Sequence, residues 1–309
     1  MSKSAINSST GSPLVLSRGR STMTIAITMG DPRGIGPEVI LKALAKKEIA
    51  ALAQFILVGD RRLLKSAKFP IIDVAYRDPG EGSLLFLDKG IELIKGGIVD
   101  GLVTAPLSKE SVSRFKKGFL GHTEYLAESF DVKHFDMMFV SDDLRLSLVT
   151  RHVPLKEVSR LITKQSVLAS IELMHQTLKE QFKISRPSIA VWGLNPHAGE
   201  GGLLGDEEIK HIIPAVKQAL KKGIRVKGPY PADTFFVHDK SVDGIVAMYH
   251  DQGLTPVKGM YFKNLVNYTA GLPFVRTSPV HGTALDIAGQ NKADPSSMIA
   301  AIRLAAKLA

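Results

Sequence analysis

Six joints, most of them glycine- or proline-bearing, punctuate this chain, and most of them follow a short apolar run. Between them, runs of strand length alternate with segments of helical period, a pattern that belongs to an α/β sheet with both faces covered. Thr24–Thr28 reads as a strand, followed by a Gly/Pro loop and a helix over Pro37–Lys47. Phe55–Val58 and Leu102–Thr104 read as strands on either side of a helix over Ser83–Lys95, whose Leu84, Leu87, Ile91 and Ile94 share one side. The middle departs from strict alternation. Met137–Val140 and Leu144–Thr150 flank Asp142-Asp143, a hairpin signal that predicts a mixed sheet or an antiparallel part in a second lobe. Ser166–Phe182 and Asp206–Leu220 read as helices, and Ile189–Trp192 and Gly244–Met248 as strands. Asp294–Leu308 reads as a closing helix with Pro295 at its first position.

At 309 residues the chain makes two lobes or one large domain, taking roughly 100–200 residues per domain. Its 44% hydrophobic content suits a buried core and excludes a disordered or fibrous chain. No apolar run approaches the roughly 18–20 residues of a membrane helix. With no cysteine, disulfides, thiolate nucleophiles and Cys-ligated metals are excluded, so a metal would rest on His nitrogens and oxygen ligands. The net charge of +10 invites a nucleic-acid reading. Against it, the cations are dispersed in short pairs and aromatics are only 6%, too few for base-stacking platforms. Anionic small substrates account for the basic balance as well. Residues 1–23, rich in Ser and without acid, are expected to form a disordered extension, and the protein is expected in the cytoplasm.

The first joint, Gly30 to Glu38, opens a helix straight after a strand. It reads either as a tight turn or as a cradle of backbone N–H groups for an anion, and its glycine spacing is not that of G-x-G-x-x-G. In the second, Gly121-His122-Thr123-Glu124, the Thr is either an N-cap or part of an anion site. Three further joints carry His152, His197 and His250, each after an apolar run, where ligands of α/β sheets gather. Three imidazoles suit zinc, cobalt or a similar ion, although their spacing is too long to be diagnostic. His134, His175, His211 and His238 lie in helical or charged contexts that favour packing or surface roles. In the sixth joint Lys258 and Arg276 flank Asn267 and suit a phosphate or carboxylate, and Asp286 in the loop after His281 could accept from a ribose hydroxyl.

Taken in order, Thr28-Met29-Gly30-Asp31-Pro32, Gly34-Ile35-Gly36-Pro37-Glu38, Gly121-His122-Thr123-Glu124, Asn195-Pro196-His197-Ala198-Gly199-Glu200, Tyr249-His250-Asp251-Gln252-Gly253 and His281-Gly282-Thr283-Ala284 resemble the 4-hydroxythreonine-4-phosphate dehydrogenase family. The motifs run from about residue 24 to 290. The resemblance implies an NAD- or NADP-dependent enzyme of vitamin B6 biosynthesis that uses a divalent metal such as Zn, Mg or Co. It implies an isocitrate/isopropylmalate dehydrogenase-like fold of two α/β/α lobes around a central cleft, working as a homodimer. The first lobe would span 24–124 plus 271–309 and the second 125–270, with the metal ligands and the dimer interface on the second.

Carried over by position, His152, His197 and His250 match metal ligands in sites completed across the dimer. His122, Thr123, Lys258, Asn267 and Arg276 match contacts to a phosphorylated substrate, and His281, Gly282, Thr283, Ala284 and Asp286 match the adenosine-binding loop. The implied reaction oxidises the 3-hydroxyl to a β-keto acid that loses CO2, with His122, Lys258 and Asp251 as candidate proton acceptors. The chain departs from the pattern in three places: Leu203-Leu204 where many relatives have His, Arg33 where a small residue is common, and Asp294 where relatives often carry Asn, which puts an adenine contact there in doubt. Leu203-Leu204 and Arg33 leave room for a sister dehydrogenase of 4-phosphoerythronate or 4-phosphothreonate. A phosphoacyl transferase of related fold would need no metal, and the three joint histidines count against it.

Overall fold

β1 (Thr24–Thr28) is buried along its whole length, and the strands that flank it fix the rest of the architecture. The computed structural model of the chain describes residues 23–237 and 241–309. The expected extension, apart from Met23, and His238 therefore lie outside the described residues. After β1 come α1 (Gly36–Leu44), α2 (Lys47–Ala50), β2 (Gln54–Gly59), β3 (Ile71–Asp73), α3 (Pro79–Lys95), β4 (Gly101–Thr104), α4 (Lys109–Ser113) and α5 (His122–Ser129). The middle holds β5 (Asp136–Val140), β6 (Arg145–Leu148), α6 (Leu155–Leu161), α7 (Lys164–Glu180), β7 (Ser188–Trp192), α8 (Ile213–Lys221) and β8 (Arg225–Tyr230). The chain closes with β9 (Gly244–Ala247), α9 (His250–Tyr261), β10 (Val266–Ala270), β11 (Val275–Pro279) and α10 (Ser296–Leu308).

The strands join in one mixed sheet of order β3-β2-β1-β4-β11-β10-β5-β6-β9-β7-β8. The α/β architecture expected from the alternation is thus present, and so is the hairpin, with β5 and β6 antiparallel. Strands from residues 24–104 and 275–279 fill one half of the sheet, and those from 136–270 fill the other.

Side chains of successive residues point to opposite faces of a strand, so a strand apolar at every position must be covered on both sides. On β5, β7 and β9, Met138, Ile189 and Val246 join the large core under α7 and α8, while Phe139, Ala190 and Ile245 join a smaller core with Leu254 and Val257 of α9. Where these helices stop short, the sheet face is open to a ligand.

Two expected helices are interrupted. The predicted Pro37–Lys47 helix ends at Leu44, and the separate turn of α2 follows. The predicted Asp206–Leu220 helix opens with a π turn over Glu208–Ile212 and becomes α-helical from Ile213. Pro214 supplies the cause, since it has no N–H to close the α-helical bond one turn back. The closing helix starts at Ser296. Asp294 Oδ1 accepts from the Ser296 N–H at 2.9 Å, ahead of the helix proper.

Candidate active site

A cleft of about 230 Å³ lies against the face of β10 and β11 that α9 leaves uncovered. The start of α5 supplies Gly121, His122 and Thr123 to its wall, α9 supplies His250, Leu254 and Lys258, and the loop after β11 supplies His281 and Gly282. Asn267 and Arg276 form its floor, and His152 enters from the loop after β6. The fold therefore gathers nine of the residues singled out in the sequence: His122, Thr123, His152, His250, Lys258, Asn267, Arg276, His281 and Gly282.

Arg276 dominates the electrostatics. Its side chain is 1% exposed, and no carboxylate among the described residues lies within ion-pair distance. Its hydrogen bonds go instead to threonine hydroxyls. Nη2 donates to Thr104 Oγ1 at 2.6 Å, and Nη1 donates to Thr269 Oγ1 at 3.0 Å and reaches Thr123 Oγ1 at 3.4 Å. Burial pulls the guanidinium down to about 9, against the opposing pull of Glu124, so it remains cationic at neutral pH. A buried charge without a counter-charge is costly, and a bound anion removes that cost. Nε of Arg276, Oδ1 of Asn267 and Nε2 of His281 are buried without hydrogen-bond partners, the pattern of a site shaped for a polar ligand.

Thr123 does not cap its helix, because Gly121 holds the N-cap position at φ 146 and no side chain caps it. The hydroxyl is left to face Arg276. His122 is held well below its ordinary value by burial, then by Arg276 and Lys109, and is therefore neutral. Burial, then Lys109, also lowers His152, and burial lowers His281. Lys109 and Thr104 shape the cleft but were not singled out in the sequence. Their one available signal is position, since both lie at or just beyond the carboxyl end of β4, where ligands of open α/β sheets collect.

The rings of His152 and His250 lie 5.6 Å apart, centroid to centroid. His250 Nδ1 meets Asp251 Oδ1 at 2.6 Å, which leaves Nε2 as the free ring nitrogen. Asp251 itself is exposed and does not line the cleft, an arrangement in which a carboxylate orients a ligating imidazole. His197 lies apart from the other two, exposed on a loop outside the cleft. Among the described residues no group of three metal-ligating side chains converges. The fold therefore brings His152 and His250 together and leaves His197 apart.

The His197 loop is held in an unusual conformation. His197, Ala198, Gly199, Glu200 and Gly201 all have positive φ, between 43 and 78°. Left-handed backbone costs roughly 1–2 kcal/mol per non-glycine residue, so something must impose it. Glu208 does. Its carboxylate is 2% exposed and accepts from the N–H groups of Leu194 at 2.7 Å and Asn195 at 2.8 Å, and from Asn195 Nδ2 at 2.9 Å. Glu208→Ala orphans two backbone donors, at about 1–3 kcal/mol each. It is expected to lower stability by roughly 2–4 kcal/mol in urea unfolding, and a change below about 0.5 kcal/mol would show that the loop is held by other means.

Of the expected cofactor loop, Thr283, Ala284 and Asp286 do not line this cleft. Thr283 instead ties the loop to the first joint, its carbonyl accepting from the Ile35 N–H at 2.9 Å. In that first joint Cβ atoms at Gly30 and Gly36 would come within 2.2 Å of the Pro106 and Met29 carbonyl oxygens, so close packing explains both glycines. Arg33 is bound to buried Asp31 and to Ser111.

Residues 38–305 match the family model described as pyridoxal phosphate biosynthetic protein PdxA. The chain belongs to this family. The 4-hydroxythreonine-4-phosphate dehydrogenase of Desulforapulum autotrophicum is 41% identical over 320 residues, covering 91% of this chain and 94% of its own. A protein of Symbiobacterium thermophilum, provisionally named D-threonate 4-phosphate dehydrogenase, is 39% identical and covers 92% of this chain and 96% of its own. The crystal structure of Klebsiella pneumoniae 4-hydroxythreonine-4-phosphate dehydrogenase superposes with a TM-score of 0.82 at 37% identity, covering 92% of this chain and 98% of that one. The chain is thus an oxidoreductase of the PdxA family, and no helix among its described residues is long and apolar enough to cross a membrane.

Proposed function

We propose that this PdxA-family enzyme oxidises 4-phosphohydroxy-L-threonine at its 3-hydroxyl, and that the β-keto acid formed loses CO2 to give 3-amino-2-oxopropyl phosphate in the cytoplasm. The observation that carries the reading is Arg276, a buried cation with no carboxylate within ion-pair distance among the described residues, on the floor of a cleft where the His152 and His250 rings lie 5.6 Å apart. Arg276, with Asn267, Lys258, Thr123 and His122, binds the phosphorylated substrate. His281 and Gly282, with Thr283, Ala284 and Asp286 behind them, form the nicotinamide-cofactor side of the site.

When bound, a divalent cation (Zn, Mg or Co) would supply Lewis acidity at the hydroxyl, and NAD or NADP would accept the hydride. The chain's own part is orientation and proton transfer. Neutral His122 can take the hydroxyl proton, and the negative charge of a bound phosphate offsets the field of Arg276 and Lys109 that disfavours its cationic form. Asp251 is a positioning residue that turns His250 toward the cleft. His152 and His250 would hold the cation together with the partner's His197, in a homodimer. Apolar side chains flank these positions in solvent, with Leu203 82% and Leu155 73% exposed, as an interface between copies requires.

A second reading has a specific observation in its favour, because relatives named for two phosphorylated substrates are almost equally similar to this chain. NADH formation by purified enzyme with divalent metal separates them. Turnover of 4-phosphohydroxy-L-threonine in preference to 4-phosphoerythronate and 4-phosphothreonate is the expected result. The reverse preference would keep the hydride chemistry and reassign the substrate.

A further inference from the structure

Behind the active cleft, on the opposite face of β5 and β10, lies a second pocket of about 280 Å³. Strand alternation places it there, since Phe139 and Asn267 face the cleft while their neighbours Val140 and Val266 face the rear pocket. Its other wall is one side of α10, and its rim carries Lys46, Arg303 and Lys307. Arg145 stands at its floor, the guanidinium 5.1 Å from the centroid of the Phe182 ring. A single carboxylate, that of Asp142, lines the pocket and is exposed, which leaves a surplus of three positive charges. Asp294, close enough for Lys46 to lower its pKa, has its carboxylate turned onto the Ser296 N–H and hydroxyl.

Two observations separate this from an ordinary solvated basic surface. Ser141 is 7% exposed, lines the pocket, and its hydroxyl has no hydrogen-bond partner. Arg145 Nε is buried and unpartnered as well. Buried donors without partners cost about 1–3 kcal/mol each, so a ligand that satisfies them is favoured. Planar Arg stacked on an aromatic ring keeps its fork free for a phosphoryl group. The pocket also has an apolar lining, from Val140, Val266 and Ile299.

We propose that this rear pocket is a second ligand site, selective for a small phosphomonoester with an apolar body, whose phosphoryl group sits between Arg145, Ser141 and the rim cations. The site shares no lining residue with the catalytic cleft, so ligand at the two can be told apart.

Calorimetric titration with phenyl phosphate tests it on the intact enzyme, alongside tungstate-soaked crystals. Binding at this site is expected to persist in Arg276→Met, which disables the cleft. It should weaken at least tenfold in Arg303→Gln/Lys307→Gln, with turnover unchanged, and Ser141→Ala should weaken it too. Tungstate should appear against Arg145. Phenyl phosphate affinity unchanged in the double variant, loss of all binding in Arg276→Met, or equal binding of benzyl alcohol would each overturn the proposal.

Discussion

Arg276→Met is expected to lower kcat/KM about a thousand-fold and to abolish the rise in Tm that a phosphorylated substrate gives the wild-type enzyme. The guanidinium is buried, cationic and bonded only to threonine hydroxyls among the described residues, so in the proposed site its counter-charge is the ligand's phosphate. Removing one partner of a buried ion pair costs about 3–5 kcal/mol, and about 1.4 kcal/mol is tenfold. Arg276→Lys keeps the charge but loses the fork that reaches Thr104 and Thr269 at once, so it should recover only part of the loss. Steady-state kinetics and thermal shifts with and without substrate check both variants. A kcat/KM within tenfold of wild type for Arg276→Met would remove Arg276 from the substrate site.

Two inactive variants, His197→Ala and His250→Ala, are expected to restore roughly a quarter of wild-type turnover when unfolded and refolded together. In the proposed homodimer random pairing makes half the dimers mixed, and each mixed dimer would hold one site with all three imidazoles and one with a single imidazole. Alone, each variant should lose turnover and retained metal, the latter measured by elemental analysis. His197→Ala should keep its fold, because His197 is exposed and the loop is held through Glu208 rather than through the imidazole. No recovery on mixing would show that His197 does not serve the partner's site. Full activity of His197→Ala without added metal would remove it from metal binding altogether.

Much of the fold is legible from local pattern. β1 falls where the apolar run places it, and α7 and β7 fall within a few residues of their predicted bounds, because period and capping are short-range. The π turn before Pro214 was equally local in origin, yet a helical period over Asp206–Leu220 conceals it. The left-handed run at His197 has three non-glycine members, and nothing in their residue types announces positive φ. The chain entering it is anchored by the Glu208 carboxylate, thirteen residues beyond Asn195.

Nine residues of the candidate site were named from the sequence, because strand-to-helix joints advertise themselves through glycine, proline and isolated polar side chains. What each residue does there was decided in three dimensions. Arg276 looks like any solvated cation until register sets it beside Thr269 and Thr104 and burial strips it of water. Asp251 looks like an acid of the site until the turn into α9 sets it on His250 Nδ1 outside the cleft. Lys109 is marked only by its place beyond the carboxyl end of β4, and the packing of α4 near α5 brings its charge to bear on His122. Residue type and period determine the elements and the chemical inventory, since both act over a few residues. Charge state, partner and exposure depend on which distant strands meet, and the sheet order alone fixed that.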